Sequence, residues 1–330
     1  MRGSIFGKMF SMTTFGESHG PALGVVLDGV PSGLDFNLDD LQAMLDKRAP
    51  GRSKGVTARK EPDQAEVLSG VFEGKTLGTP IAVIIRNTNQ RSKDYDKLKN
   101  NYRPGHADRT YDLKYGIRDH RGGGRSSGRE TVSRVVAGYF ASLVLPKVKV
   151  NTFISKLGPF ECENIIKSFP QNLGTYNFGD PSKDSEIEKY LIDLKAKGDS
   201  IGGRISVNIQ NCPVGLGEPA FDKLKADLAK AVLSIGACVA FSFGAGVKMA
   251  DMSGQEVSTD SANFGGIEGG ISNGEMINLD LTFKPTSTVG ANAKEGRHDP
   301  CILPRAVVVV ESMVRVVLAD HFLRQKAYEV

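Results

Sequence analysis

Two stretches of this 330-residue chain align without a gap, and that repetition limits the folds open to it more than any other feature. Gly70, Val71, Gly74, Gly78, Ile81 and Val83 stand against Gly266, Ile267, Gly270, Gly274, Ile277 and Leu279. Upstream, Pro31-Ser32-Gly33-Leu34 is matched by Pro213-Val214-Gly215-Leu216, each after a strand-like run and before an amphipathic one. A unit of strand, turn, helix, loop and strand used twice accounts for the pattern. The copies span about residues 20–90 and 203–288, and a basic insert of about 87–145 hangs on the first. An apolar strand joined through a helix in each copy suits a single α+β domain over 1–330, a sandwich of sheets packed around central helices.

Local patterns fill in this frame. Residues 22–27 read as a buried strand and 28–33 as a turn. Leu38, Leu41, Met44 and Leu45 mark a helix capped by Asn37, with Asp39 and Asp40 in its first turn. A basic loop containing Arg48, Arg52 and Lys54 follows. Strands are expected at 80–86, 148–154, 204–210 and 276–283, and irregular chain at 158–182. Ser185 and Glu188 fit a capping box on a helix carrying Ile187, Tyr190, Leu191 and Leu194 and ended by Gly198. Phe221, Leu224, Leu228, Val232 and Ile235 describe another helix, ended by Gly236, and 307–323 a mostly apolar, buried C-terminal helix.

The chemistry concentrates in 103–131. Here Arg103-Pro104-Gly105-His106-Ala107-Asp108 is followed by Tyr115-Gly116-Ile117-Arg118-Asp119 and by Arg121-Gly122-Gly123-Gly124-Arg125-Ser126-Ser127-Gly128-Arg129-Glu130-Thr131. Nothing in this run supplies a buried apolar face. Guanidinium ions bind carboxylate and phosphate bidentately, and a glycine run lets backbone N–H groups approach an anion closely. Val132, Val135, Val136, Tyr139, Phe140 and Leu143 then recur at helical spacing, with Ser127 and Glu130 as a capping box. Both serines and the glycine run would thus open a helix, where N–H groups and the dipole favour negative charge.

Charge is focused at the same place. The whole chain carries +4, but 86–134 holds 9 Arg and 4 Lys against 5 Asp and 1 Glu, a local +7. A small polyanionic ligand fits this better than nucleic acid at large. A phosphate- or RNA-binding module could use the same patch, yet RGG-type RNA contacts come as disordered repeats, and this is one copy in a foldable region. The four cysteines, Cys162, Cys212, Cys238 and Cys301, lie far apart with no C-x-x-C pair, so a reducing, cytoplasmic setting is expected. The sequence shows neither a signal peptide nor an apolar run of membrane-spanning length. His19 and His106 sit in glycine-containing turns that present a side chain and can exchange protons near neutral pH. His321 falls in the apolar C-terminal helix and reads as structural; His120 is undecided. No metal-ligand spacing such as H-E-x-x-H occurs, Arg129-Glu130 stands where a nucleotide P-loop needs Lys-Ser/Thr, and no G-x-G-x-x-G follows a strand.

Two later loops share this ligand-binding character: Lys284-Pro285-Thr286-Ser287-Thr288 and Gly296-Arg297-His298-Asp299-Pro300-Cys301. Together with Thr14-Phe15-Gly16-Glu17-Ser18-His19-Gly20, Asn89-Gln90-Arg91-Ser92-Lys93-Asp94-Tyr95, 103–108 and 114–131, in that order, they make the chain resemble the chorismate synthase family over nearly its full length. The resemblance implies a lyase that converts 5-enolpyruvylshikimate 3-phosphate to chorismate and phosphate by 1,4-anti elimination in the shikimate pathway. It implies a need for reduced FMN without net redox change, NADPH only as an indirect reductant, and a homotetramer.

The same resemblance carries roles onto residues. His19 would be the acid near the departing phosphate, His106 the acid near the flavin, and Asp299 an aid to removal of the ring proton. Flavin contacts would fall on Arg125, Ser126, Ser127, Ala237, Gly269, Lys284, Pro285, Thr286, Ser287, Thr288 and Arg297. Substrate anions would fall on Arg48, Arg103 and Arg129, with Lys54 near the nicotinamide nucleotide or the substrate entrance. The chain departs from the family pattern at several points. The segment between Thr288 and Gly296 is short, Arg109 stands where an aromatic residue is common, Lys54 where arginine is common and Gly236 where asparagine is common. These departures bear on affinity more than on reaction type. No extra flavin-reducing domain is visible, so an outside source of reduced flavin is expected.

Overall fold

The computed structural model describes residues 3–49, 63–87, 102–103, 105–162, 169–290, 293 and 299–328. Its frame is two five-stranded antiparallel sheets. The first runs β1 (Ile5–Phe6), β2 (Ser11–Phe15), β3 (Ala22–Asp28), β7 (Ile81–Arg86), β4 (Ala65–Val67). The second runs β9 (Phe160–Glu161), β8 (Lys149–Leu157), β10 (Gly203–Gln210), β14 (Ile277–Phe283), β11 (Cys238–Phe243). Alternation at period two sets the inner faces: Leu23, Val25 and Leu27 in β3, Ile81, Val83 and Ile85 in β7, and Ile205, Val207 and Ile209 in β10 are all buried.

Helices fill the space between the sheets. α1 (Leu38–Arg48) and α3 (Thr131–Val144) lie under the first sheet, and α5 (Leu224–Leu233) with the C-terminal α6 (Leu303–Gln325) under the second. The closest helix pairing is α3 against α6, which joins the two layers. A Cβ on Gly138 would meet the Ser312 side chain at 2.3 Å, so glycine is what lets these two backbones cross so closely. Both helices are apolar around most of their circumference, as expected for helices with protein on every side. Pro304 sits in the first turn of α6, where its missing N–H costs no helical hydrogen bond. Two outer helices, α2 (Asp108–Tyr115) and α4 (Asp184–Lys197), complete the elements needed below.

The two sheets match over four strands, β2-β3-β7-β4 and β8-β10-β14-β11, and differ at the outer edge, where β1 precedes β2 but β9 follows β8. Each sheet is accompanied by a small hairpin, β5 (Val71–Phe72) with β6 (Lys75–Thr76), and β12 (Ile267–Glu268) with β13 (Ile271–Ser272). Gly33 N donates to Thr76 O at 2.7 Å and Gly215 N to Ser272 O at 2.9 Å. The Thr76 hydroxyl donates to Pro31 O at 2.7 Å and accepts from Leu34 N at 3.0 Å. The Ser272 hydroxyl donates to Pro213 O at 2.6 Å and accepts from Leu216 N at 2.9 Å. Gly70, Gly74 and Gly78, like Gly266, Gly270 and Gly274, all have positive φ, a region open to glycine at little cost.

Several local expectations need correction. Arg48 is not in a loop: it is the last residue of α1 and is buried. Asn37 does cap α1, accepting from the N–H groups of Asp39 and Asp40. The Ser127–Glu130 box does not form, because the 3-10 turns Gly124–Ser126 and Gly128–Glu130 precede α3. Ser127 accepts from Arg129 N instead, and Glu130 pairs with Arg134 at 2.7 Å. Nor does Ser185 cap α4, which starts at Asp184 after a 3-10 turn capped by Asp180. Phe221 lies outside α5, with φ of 50° and its side chain exposed; Ser234, not Gly236, is the C-cap. Gly198 ends α4 in the left-handed conformation, as its position foretells. His321 is buried in α6, with Nε2 2.9 Å from Asp227 Oδ2.

Candidate active site

The glycine run is built to lie against the turn that follows β2. A Cβ on Gly122 would fall 2.2 Å from His19 Nδ1, and one on Gly124, whose φ is 52°, would fall 2.5 Å from Glu17 Oε2. Only glycine permits both approaches. His19 Nδ1 lies 3.1 Å from Ser18 Oγ. Arg125 then bolts the run in place, donating to Gly16 O at 3.3 Å and to the Thr14 hydroxyl. Asn87, just past β7, holds the same turn from the other side, its Nδ2 donating to Gly20 O at 2.7 Å and Glu17 O at 3.3 Å. Burial pushes the Glu17 carboxyl up from the ordinary carboxylate range, Arg125 opposes the shift, and Asp119 adds to it.

Behind this turn is a buried ionic cluster. Arg48, at the end of α1, donates to Asp63 through Nε at 3.0 Å and also through Nη2. Arg129 donates to the other carboxylate oxygen of Asp63 through Nη1 and to Asn87 Oδ1 through Nε at 3.1 Å. Asp63 is 1% exposed, Arg48 3% and Arg129 7%. Burial pulls the Arg48 guanidinium below its usual pKa; Asp63 resists the shift, whereas Arg129 and Arg305 add to it. Two guanidinium ions thus share one buried carboxylate.

His106 belongs to a second cluster. Its Nε2 lies 3.0 Å from Thr288 Oγ1. Ser287 Oγ donates to Gly105 O at 3.2 Å and accepts from Lys284 Nζ at 2.8 Å, while Lys284 N donates to Ala237 O at 2.9 Å. Thr286 Oγ1 donates to Asp299 O at 2.9 Å, which brings the 284–288 loop beside the start of α6. The Asp299 carboxylate forms an ion pair with Arg305 and accepts from Cys301 N at 3.3 Å. Arg103 is bidentate on Asp108, with bonds of 2.9 and 2.8 Å, which steadies the His106 turn. His106 has its pKa lowered, first by burial, then by Arg103 and Lys284, with Asp108 opposing.

Two cavities that share part of their lining lie beside residues 122–128; His19, Arg103, His106, Arg129 and Asp299 line neither of the two. The larger, about 900 Å³, is lined by Glu17, Ala107, Asp108 and Gly122–Ser126 among others. The smaller, about 290 Å³, shares Arg125, Ser126, Glu130, Arg134 and Ser234 with it and reaches Arg48, Gly236 and Arg305. Among the described residues, the lining of the smaller cavity carries four guanidinium ions and one carboxylate, the hydroxyls of Ser126 and Ser127, and the apolar side chains of Ile235, Ile302, Ala306 and Val309. Apolar surface together with hydroxyls and cations fits a planar ring that bears an anionic tail, so these residues fit FMN.

Of the residues singled out from sequence, Arg48, Arg125, Ser126 and Ser127 line this smaller cavity. Ala237, Lys284, Thr286, Ser287, Thr288, His106 and Asp299 are linked to one another by the bonds above, with Pro285 between Lys284 and Thr286. Gly269 lines neither cavity; it sits at the tip of the β12–β13 hairpin, with its carbonyl 3.3 Å from Lys223 Nζ. Lys54 and Arg297 fall outside the described residues. Sequence reading missed Asp63, Asn87 and Arg305, because nothing in their neighbourhoods separates them from ordinary loop residues. Among the described residues no group of three or more His, Cys, Asp or Glu side chains could hold a metal ion, and no helix is long and apolar enough to cross a membrane.

Comparison with known proteins gives one consistent result. Residues 10–323 match the family model described as chorismate synthase. The chain is 48% identical to the chorismate synthase of Christiangramia forsetii, with 100% of both chains covered. It is 47% identical to that of Flavobacterium psychrophilum over 99% of both. A crystal structure of a chorismate synthase superposes with a TM-score of 0.76 at 30% identity, covering 97% of this chain and 93% of that one.

Proposed function

Since the chain belongs to the chorismate synthase family, we propose that it is a carbon–oxygen lyase that eliminates phosphate from 5-enolpyruvylshikimate 3-phosphate to give chorismate. The observation that carries this reading is the smaller cavity, with its four arginines, two serine hydroxyls and apolar side chains. The substrate bears two carboxylates and a phosphate. Guanidinium ions, which bind carboxylate and phosphate bidentately, are the groups such a trianion needs.

Each residue has a task in a 1,4-anti elimination. Arg48, Arg103 and Arg129, with Lys54, hold the substrate's anionic groups. His19 gives a proton to the departing phosphate oxygen, and fixed cations stabilise the charge that builds there. Asp299 serves the removal of the ring proton, with its carboxylate steadied by Arg305. Arg125, Ser126, Ser127, Ala237, Gly269, Lys284, Pro285, Thr286, Ser287, Thr288 and Arg297 hold FMN. Reduced FMN held by these residues would supply reversible electron transfer to the site, a chemistry that leaves no net redox change. His106 starts out neutral because burial, Arg103 and Lys284 disfavour its proton; a negative charge arriving beside Lys284 favours protonation and lets it act as an acid.

NADPH enters this scheme only as an indirect reductant, and the working assembly is a cytoplasmic homotetramer; sedimentation of the purified protein tests the tetramer. The function itself is tested by phosphate release under anaerobic conditions. Purified protein should release phosphate from 5-enolpyruvylshikimate 3-phosphate with chemically reduced FMN and not with oxidised FMN. No release with reduced FMN and substrate both present overturns the assignment.

A further inference from the structure

Asp63 is not among the groups that the reaction calls for, yet the ionic cluster depends on it. Its two carboxylate oxygens take different guanidinium ions, Arg48 on one and Arg129 on the other. Arg48 lines the smaller cavity. Arg129 passes on to Asn87 Oδ1 at 3.1 Å, and the Asn87 amide donates to Gly20 O at 2.7 Å and to Glu17 O at 3.3 Å, on either side of His19. A continuous strut therefore runs from a cavity guanidinium, through one buried carboxylate, to the turn that presents an imidazole. Every link is on a different segment of the chain: the end of α1, the approach to β4, the turn before α3, the residue after β7 and the turn after β2.

We propose that Asp63 is a positioning residue: it fixes Arg48 at the cavity and, through Arg129 and Asn87, ties that guanidinium to the His19 turn. The inference rests on the reading of Arg48 as a substrate-anion ligand and His19 as the acid. An arginine side chain has many rotamers, and a carboxylate shared with a second arginine removes most of that freedom before substrate arrives. Asp63 also lowers the local positive charge, so its removal would strengthen the bare attraction for an anion while loosening the geometry. In a site that must set a phosphate against a proton donor, geometry outweighs the extra attraction, because small misplacements of a reacting group are costly.

The test compares Asp63→Asn, Asp63→Glu, Arg48→Ala and the double variant Asp63→Asn/Arg48→Ala in steady-state kinetics with reduced FMN. Asp63→Asn should raise KM for 5-enolpyruvylshikimate 3-phosphate by ~10-fold, Asp63→Glu should recover part of the loss, and the double variant should be no worse in KM than Arg48→Ala alone. A lower melting temperature with KM unchanged in Asp63→Asn makes the residue structural only and overturns the proposal. An unchanged KM in Arg48→Ala refutes the ligand reading of Arg48 instead, which separates the two failures. If Asp63→Asn does not fold, Asn87→Ala cuts the strut without unbalancing the buried charge. It should lower kcat by ~10-fold and shift the pH profile, with KM held within about twofold. An unaltered kcat and pH profile in that variant ends the proposal.

Discussion

Protonation of His106 is opposed by its burial and by two cations, Arg103 and Lys284, and favoured only by Asp108. Its folded-state pKa therefore lies below the ordinary imidazole value, and the unfolded chain takes up a proton more readily than the native one. Stability from this group is fully present above the ordinary value of about 6.5 and is lost as pH falls through the folded pKa. His106→Ala should flatten that acid limb of the stability curve, read from urea midpoints across pH, while keeping the fold and lowering turnover by ~10²–10⁴-fold. Parallel acid limbs in the two proteins, or wild-type turnover in the variant, would remove His106 from the site. At this scale the sequence was readable where backbone chemistry is unusual. A run of three glycines and a histidine in a Pro-Gly turn stand out from their neighbours alone. Asp63 does not, since its partners are 15 and 66 residues away and only folding brings them to one carboxylate.

Strands and long helices were legible because burial imposes a period on the apolar residues, as β3, β7, β10, β14 and α3 show. Helix starts were less so. Ser127 and Ser185 each have a glutamate three residues on, but 3-10 turns come first and take the capping bonds, so a local motif lost to the chain's approach path. Phe221 fits the periodicity of α5 and yet points to solvent, because the positive φ at that residue turns the chain before the helix begins. The turns of the repeated unit carry a sharper consequence. Thr76 and Ser272 are both buried, and each hydroxyl makes the same pair of bonds to a proline carbonyl and a leucine N–H. Thr76→Val and Ser272→Ala should each destabilise by ~1–3 kcal/mol, because each leaves a leucine N–H and a proline carbonyl without their side-chain partner. The two losses should agree within about 1 kcal/mol, as expected of equivalent sites. Urea unfolding measures both, and a large loss at one site with none at the other would mean that the matching turns do not share their energetics.

Across the whole molecule, the buried apolar side chains of both sheets and of α1, α3, α5 and α6 form one cluster, with the α3–α6 crossing at its centre. The cavities lie across the same seam: Arg48 and Arg125 come from the first half, and Gly236 and Arg305 from the second. Two halves would unfold separately if each had its own core, but here α3 of the first half packs against α6 of the second. Heating should therefore give a single calorimetric transition without a separate early melting of either half. A ligand bound across the seam stabilises both halves at once, so FMN with substrate should move that one peak upward; at ~100 times the dissociation constant the gain is ~2.7 kcal/mol per site. Because the lining of the smaller cavity is drawn from both halves, FMN and substrate added together should shift the peak further than either alone. Scanning calorimetry of the free and doubly liganded protein decides it. Two resolved transitions, or a ligand shift confined to part of the unfolding heat, would mean that the halves are energetically separate despite their common core.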